Sequence, residues 1–227
     1  MDASLAARLF FPVLLLAPGP LLGDGGELVV RPILGGEAAF FDYQRDGLKT
    51  LAGTRQPSSG MGRFGVALGY GLMNDLELGL GASLGLTGSQ VLRSVELEGF
   101  SGDLYVDVLD VSVPVTLGYQ LNFGHEVSAS VQAQVGVAYL GWNELALVDP
   151  GRPDSAGNFA RLPVATVRKD LVGFVAGAAV WVDWRPLDWF SLSLGPYGAL
   201  RMAGETRVIS AGVCLQPAFA FGVGPSI

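Results

Sequence analysis

Bulky apolar residues alternate with small or polar residues along most of this sequence. In the segment 61–86, Phe64 and Leu68 belong to the bulky set, whereas Gly65 and Gly69 belong to the set between them. A period of two places the two sets on opposite faces of a β-strand. Residues 73–75 interrupt the alternation, which then resumes, so the segment is predicted to form two strands joined by a tight turn.

The same pattern recurs and predicts an all-β protein with eight antiparallel strands. These strands are expected at 27–42, twice within 61–86, and at 103–123, 126–142, 169–184, 189–203 and 206–223. Polar segments at 43–60, 87–102 and 143–168 are predicted to be long loops after the first, third and fifth strands, and the other connections are short. Alternating short turns and long loops are typical of an up-and-down transmembrane β-barrel.

The two faces of the predicted strands differ in charge as well as in size. Glycine is a poor strand former, so the glycine-rich face is expected to line a narrow lumen and the bulky face to meet lipid. One arginine at mid-bilayer on the lipid face would cost about 2–4 kcal/mol. The charged residues predicted to face the lumen as a polar network are Arg31, Glu37, Arg63, Glu77, Asp110, Glu126, Asp183, Arg185 and Arg201.

The near-balance of acids and bases in this polar network favours an interior filled by ion pairs, because an unpaired buried charge is very costly. An eight-stranded barrel is just wide enough for side chains to fill it. The alternative is a gated or narrow path for ions. Small residues at Gly65, Gly69, Gly79 and Gly81 leave room on one wall, where any pore or internal pocket is expected.

Composition agrees with a membrane barrel. Hydrophobic residues make up 50% of the chain and charged residues 15%, against about 25% charged in soluble domains. Yet no run offers the roughly 20 apolar residues of a membrane helix. The net charge of −7 gives no support for a nucleic-acid partner, which requires a basic surface.

The chain offers few residues for cofactor or redox chemistry. Cys214 is the single cysteine and His125 the single histidine, so an intramolecular disulfide and a multi-histidine metal site are excluded. Cys214 is predicted to be a small interior filler. His125 is predicted to lie at a short turn. No cofactor and no metal site are predicted.

Residues 1–24 resemble a secretory signal peptide, with Arg8 before the apolar run 9–17. Residues 25–227 are then expected to form the barrel domain.

Aromatic residues cluster near the short turns and predict a girdle at one membrane interface: Tyr70, Tyr119, Phe123, Trp184, Phe190, Phe219 and Phe221. Four prolines fall inside predicted strands and are expected to mark bulges or locally opened pairings: Pro32, Pro114, Pro196 and Pro217.

On these strands and their count, residues 27–223 resemble the small outer-membrane β-barrel family, with the architecture of OmpA-type and OmpX-type barrels. Chains of that family usually end in an aromatic residue, whereas this sequence ends at Ile227. Some barrels in it resemble lipid A deacylases or acyltransferases with a histidine at the outer rim. Because His125 lies at the opposite end of the predicted barrel, no enzymatic activity is expected.

The resemblance implies a protein of the Gram-negative outer membrane with a structural or interaction role. Its lipid face would contact outer-membrane lipid, and its long loops would meet lipopolysaccharide or a protein partner. A narrow porin-like channel for ions or small solutes is one alternative. A soluble, lipocalin-like lipid-binding barrel is another, and it would require the leucine and valine strips to point inward.

Overall fold

A computed structural model describes residues 26–42, 46–50, 58–73, 75–123, 126–153, 156–204 and 206–222. The predicted signal peptide at 1–24, the predicted turn residue His125 and the C-terminal residues 223–227 lie outside the described residues. Within the described part of the chain, no helix is long and apolar enough to cross a membrane.

The described residues form eleven β-strands, which we number in chain order. They are β1 (Glu27–Asp42), β2 (Lys49–Thr50), β3 (Ser58–Met73), β4 (Leu76–Thr87), β5 (Gln90–Leu97), β6 (Phe100–Asn122), β7 (Val127–Pro153), β8 (Phe159–Arg161), β9 (Arg168–Leu187), β10 (Phe190–Ala203) and β11 (Thr206–Gly222). All pairings between them are antiparallel.

Eight of these strands form a closed ring in the order β1-β3-β4-β6-β7-β9-β10-β11, and β11 pairs back with β1. β5 continues the line of β4 along β6, and the short strands β2 and β8 flank β5 and β7. The predicted eight-stranded antiparallel barrel is therefore confirmed. We call the end with the β3–β4, β6–β7 and β9–β10 connections the turn end, and the opposite end the loop end.

The predicted long loops at 87–102 and 143–168 are wrong, and the segment 43–60 contains β2 and the first three residues of β3. The segment 87–102 contains β5 and the start of β6, and the segment 143–168 begins with eleven further residues of β7 and contains β8. Each region carries a bulge, at Leu92/Val95 and at Tyr105/Val106. A bulge inserts one residue and shifts the alternation by one position. A search for strict alternation of apolar and polar residues therefore does not detect these strands. Together β2, β5, β8 and the loop-end halves of β6 and β7 form a raised sheet.

The bulky face of the ring points outward, as predicted. Phe64, Leu80, Val115 and Val182 are between 46% and 58% exposed, and together with residues like them they form an apolar belt around the barrel. All predicted members of the polar network except Glu126, which precedes β7, lie on strand positions of the opposite parity. The lipocalin-like alternative is therefore wrong, because the leucine and valine strips do not face the interior.

The aromatic residues near the turn end lie mostly on the outside of the barrel. Tyr70, Tyr119, Phe123 and Trp184 are exposed, and the ring of Trp189 stacks on that of Phe219 with centroids 6.5 Å apart. Amphipathic rings favour the boundary between hydrocarbon and water. Their position fits the predicted girdle at the turn-end boundary of the apolar belt.

Each of the four prolines predicted to open a pairing lies at a local gap in one ladder, and the register continues unshifted beyond it. Pro114 lies in a gap between β4 and β6, and Pro196 in a gap between β9 and β10. Pro32 and Pro217 lie opposite each other in a gap between β1 and β11. A proline lacks the N–H group that a ladder hydrogen bond requires, so the predicted opened pairings are present at all four positions.

The loop end of the lumen is closed by an apolar cap. Its fully buried members include Phe41, Val95, Leu104 and Trp142, and the rings of Phe41 and Trp142 meet edge to face with centroids 5.6 Å apart. β1, β3, β5, β6, β7, β10 and β11 all contribute side chains to this cap. The raised sheet is thus packed onto the barrel by a hydrophobic core, which holds it in place.

Candidate functional site

Directly below the apolar cap, four charged side chains from different strands meet in the lumen. Glu37 comes from β1, Arg63 from β3, Asp110 from β6 and Arg201 from β10, and we call these four residues the charge cluster. Their side chains are at most 5% exposed. Two carboxylates and two guanidinium groups make the charge cluster neutral, which is the condition for burying charges at this depth.

Arg63 joins the two acids. Its Nη2 lies 2.6 Å from Glu37 Oε1 and 2.5 Å from Asp110 Oδ2, and its Nη1 donates to Ser83 Oγ at 2.8 Å. To reach Asp110, the side chain crosses β4 at Gly85, where a Cβ would lie 3.1 Å from Arg63 Nη2 and 2.7 Å from Met61 Sδ. Glycine at this position leaves the inner face of β4 open for Arg63 to cross.

Arg201 completes the charge cluster from another part of the ring, three strands away from Asp110. Its Nε lies 2.7 Å from Asp110 Oδ2, and its Nη1 donates to Ser210 Oγ at 2.7 Å. The Tyr197 hydroxyl donates a very short hydrogen bond to Glu37 Oε2. Because side chains from separate walls are in direct contact, the charge cluster obstructs the lumen at this level.

A second ion pair lies closer to the turn end. Arg31 on β1 and Glu77 on β4 make a bidentate contact with N–O distances of 2.5 and 2.6 Å, and both side chains are about one-fifth exposed. The pair spans β3 at Gly69, where a Cβ would collide with the charged atoms of both residues. Bidentate arginine–carboxylate pairs are strong and directional, so this pair forms a second layer across the lumen.

A cavity of about 60 Å³ lies in the lumen and reaches both layers. Arg63, Arg201, Arg31 and Glu77 bound it, and its walls include Ile33, Ala67, Gly81, Gln132, Trp181 and Cys214. The predicted roomy wall is partly filled, because Gly69 accommodates the Arg31–Glu77 pair and Gly79 accommodates Thr116. A cavity needs roughly 10–15 Å³ of this kind of space to hold one water, so this one has room for a few waters or a small molecule.

Three predicted members of the polar network lie near the turn end. Asp183 accepts a hydrogen bond from Ser130 Oγ at 3.0 Å, and the Arg185 backbone N–H donates to the Glu126 carbonyl at 2.7 Å. Asp183 and Arg185 line a polar depression that also reaches Glu77. Glu126 is exposed and lies just before β7, which begins at Val127, so its side chain does not belong to the buried interior.

The partners that complete the charge cluster were not assigned to it from sequence. Tyr197, Ser83, Ser112 and Ser210 have the inward parity of their strands and bind the charged groups directly. Their inward direction was predictable from the alternation. Their contacts required the strand register, which brings residues up to 160 positions apart together.

A different charged group marks the loop-end edge of the apolar belt. The Tyr139 hydroxyl donates a hydrogen bond to Asp170 Oδ1 at 2.5 Å, and Arg168 Nε lies 3.4 Å from the same carboxylate. These contacts, above all the hydrogen bond from Tyr139, hold the pKa of Asp170 below its usual value. On β9 the next outward residue is Val172, which is 71% exposed, so the belt begins there.

No protein-family model matches this sequence, and no curated protein sequence matches it. Among solved structures, the barrel is similar to Neisserial surface protein A, with a TM-score of 0.51, 11% identity, and coverage of 87% of this chain and 99% of the other. The attachment invasion locus protein Ail of Yersinia pestis aligns with a TM-score of 0.45 and 13% identity over 86% of this chain and 99% of the other. The chain thus has the fold of the small eight-stranded outer-membrane β-barrels.

Proposed function

We propose that this protein is an integral protein of the Gram-negative outer membrane, where it has a structural or interaction role. The observation that carries this proposal is the apolar belt around a ring whose charges are all turned inward or kept to its two ends. Burying such a belt in lipid is favourable by roughly 25 cal/mol for each Å² removed from water. Every ring strand pairs on both sides, as a bilayer requires of a spanning sheet.

The side chains that fill the lumen favour a filled barrel and not an open channel. An ion crossing the lumen would have to pass the apolar cap, the charge cluster and the Arg31–Glu77 pair in series. Opening the charge cluster would separate buried charges, and breaking such a pair typically costs about 3–5 kcal/mol. A porin-like function would need this whole series to rearrange.

The raised sheet is the surface that we propose to meet a partner. It stands beyond the loop-end edge of the apolar belt and is held by the apolar cap. At that edge Arg168 and Arg207 are exposed, and guanidinium groups bind phosphates well. We therefore propose lipopolysaccharide as the lipid at this edge and a protein as the partner of the raised sheet.

Placement in the membrane is tested by cysteines at neighbouring positions of β6. Val115→Cys replaces a side chain that is 46% exposed on the belt, and Thr116→Cys replaces one that is 7% exposed in the lumen. Both changes are made in a Cys214→Ser background, in cells that export the chain. We expect a lipid-soluble thiol reagent to label position 115 faster than position 116 in the outer-membrane fraction. Equal labelling, or recovery of the protein in the periplasm, would contradict the proposal.

A conductance measurement distinguishes the filled-barrel proposal from the channel alternative. The purified protein, refolded in planar bilayers, is expected to produce no stable current steps. An Arg201→Met variant serves as the matched sample in which the charge cluster is weakened. Reproducible steps in the unmodified protein would favour the porin-like alternative, because they would show that the three layers open together.

A further inference from the structure

The β1–β11 ladder has an interruption in the middle of the membrane wall. Pairing runs from Glu27–Gly222 to Val30–Phe219 and resumes at Leu34–Leu215, while the three residue pairs between them are missing from the ladder. The register does not shift, so Arg31–Ile33 lies opposite Gln216–Ala218. We call this stretch the Pro32–Pro217 seam.

Two prolines facing each other explain the interruption. Neither residue has an N–H group, and each ring occupies the space of an amide hydrogen. The same residues keep their ladders on the other sides, where Pro32 pairs with Val66 and Pro217 with Leu192. The weakness is therefore confined to one contact between strands. In hydrocarbon, unsatisfied backbone groups are costly, so a gap at this depth is a departure from how a barrel wall is built.

The Pro32–Pro217 seam differs from the other two proline gaps. It lacks three residue pairs, whereas the gap at Pro114 lacks two and the gap at Pro196 lacks two. Pro114 is buried inside the lumen, and directly beside the Pro196 gap lie the buried aromatic side chains Trp181 and Tyr197. The Pro32–Pro217 seam is the widest of the three and has a proline on each of its strands.

The interior cavity lies directly behind this seam. Ile33 and Gln216, which belong to the seam, line the cavity, and so does Cys214, which pairs with Gly35 beside it. Outside the seam, Leu34 and Leu215 are exposed and lie on the apolar belt. Residues at all three proline gaps line this cavity, and the Pro32–Pro217 seam is the widest of the three.

The geometry points to a lateral entrance, and we propose that small uncharged, largely apolar molecules pass from the bilayer through the Pro32–Pro217 seam into the cavity. The charged groups at both ends of the cavity are already paired with each other. An ionic ligand would have to displace one of them. Between them, Ile33, Val175 and Ala179 offer apolar contacts, and Gln132 and Gln134 offer hydrogen bonds to a single polar group.

Cys214 allows a direct test, because it is the only cysteine in the chain and its side chain is buried against the cavity. The full chain is refolded into phosphatidylcholine vesicles, and folding is checked by its shift on unboiled gels. Labelling by N-ethylmaleimide, which is uncharged and enters lipid, is compared with labelling by a permanently charged methanethiosulfonate reagent in the water phase. We expect N-ethylmaleimide to label Cys214 and the charged reagent to leave it largely unmodified.

The variants Pro32→Val and Pro217→Val each restore one N–H group to the seam. Each is expected to slow labelling by N-ethylmaleimide about tenfold, the change that corresponds to one net hydrogen bond in the ladder. The matched control is Pro196→Val, which restores an N–H group in another gap and is expected to leave the rate unchanged.

Three results would overturn the lateral entrance: no labelling of the unmodified protein by N-ethylmaleimide, equal labelling by the charged reagent, or unchanged rates in both seam variants. The inference rests on the proposed membrane location of the barrel. The gel shift and vesicle association are measured on the same samples, so a failure of the membrane proposal is recognised separately from a failure of the entrance.

Discussion

The space where a side chain of residue 69 would lie is already occupied by other residues, so only glycine fits there without a shift. Gly69 lies on β3, between the strands of Arg31 and Glu77, and the ion pair passes directly over it. A glycine on this face therefore makes room for one particular side chain and does not simply reflect a lumen lined by small residues. Gly69 and Gly85 each give passage to an arginine that crosses one strand to reach its acid.

Gly69→Ala is expected to destabilise the folded barrel by about 1–3 kcal/mol, the usual cost of overpacking, because the added methyl group would displace the Arg31–Glu77 pair. The control is Gly36→Ala on β1, where nothing lies within 4 Å of the added Cβ. There, removing a glycine from a strand is expected to be neutral or stabilising by about 0.5–1 kcal/mol. Urea unfolding in vesicles measures both variants, and equal losses would show that Gly69 has no special role.

Arg201→Met is expected to cost about 3–5 kcal/mol, because Asp110 and Glu37 would lose one of the two cations that neutralise them in a buried site. Arg93→Met is the control. Arg93 is exposed on the raised sheet, and surface substitutions of this kind usually change stability by less than about 0.5 kcal/mol. The free energies of unfolding of the two variants, measured in the same lipid, provide the comparison. Similar values would contradict the importance assigned to the charge cluster.

At the scale of whole elements, the sequence pattern predicts the ring strands well but fails at the raised sheet. In β6, bulky residues hold one parity from Leu109 to Leu121, and the observed strand matches the prediction closely. In β5, the inward residues are Gln90 and Leu92 and then Val95 and Leu97. The bulge at Leu92/Val95 changes the parity, so no fixed period describes the strand.

The interior chemistry was predictable only in part, and for a similar reason. Alternation shows that Arg63 and Asp110 face the lumen, but it does not show which acid each arginine meets. That depends on the register of β3, β4 and β6 and on the passage at Gly85. Glu126 was included because alternation alone does not show where a strand begins, and β7 begins one residue later, at Val127.

The raised sheet is expected to lose its structure separately from the ring. Val95→Asp would place a charge in the apolar cap, where Val95 is fully buried, and an unpaired buried charge is very costly. We expect protease to cut the β5–β6 hairpin of this variant in vesicles, while the rest of the chain remains protected. Arg93→Asp, at an exposed position of the same strand, is the control and should stay resistant. Loss of the whole barrel in Val95→Asp would show that the two parts fold as one unit.

At the scale of the whole molecule, the four tryptophans report which surface meets lipid. Trp184 and Trp189 are 50% and 51% exposed near the turn end, whereas Trp142 and Trp181 are 1% and 6% exposed. In variants that keep one tryptophan and replace the others with phenylalanine, brominated lipids are expected to quench Trp184 and Trp189 much more than Trp142. Strong quenching of Trp142 would place lipid against the apolar cap and contradict the orientation of the barrel.

The charge cluster also sets the order in which the barrel can be completed. Tyr197 and Glu37 are 160 positions apart, and Arg201 and Ser112 are 89 apart. Contacts between such distant residues are slow to form, because the loop entropy is lost before any contact is gained. Until β10 and β1 are both in place, the four charges are still open to water. Their desolvation therefore belongs to the final closure, which makes that step an all-or-none event and disfavours partly assembled barrels.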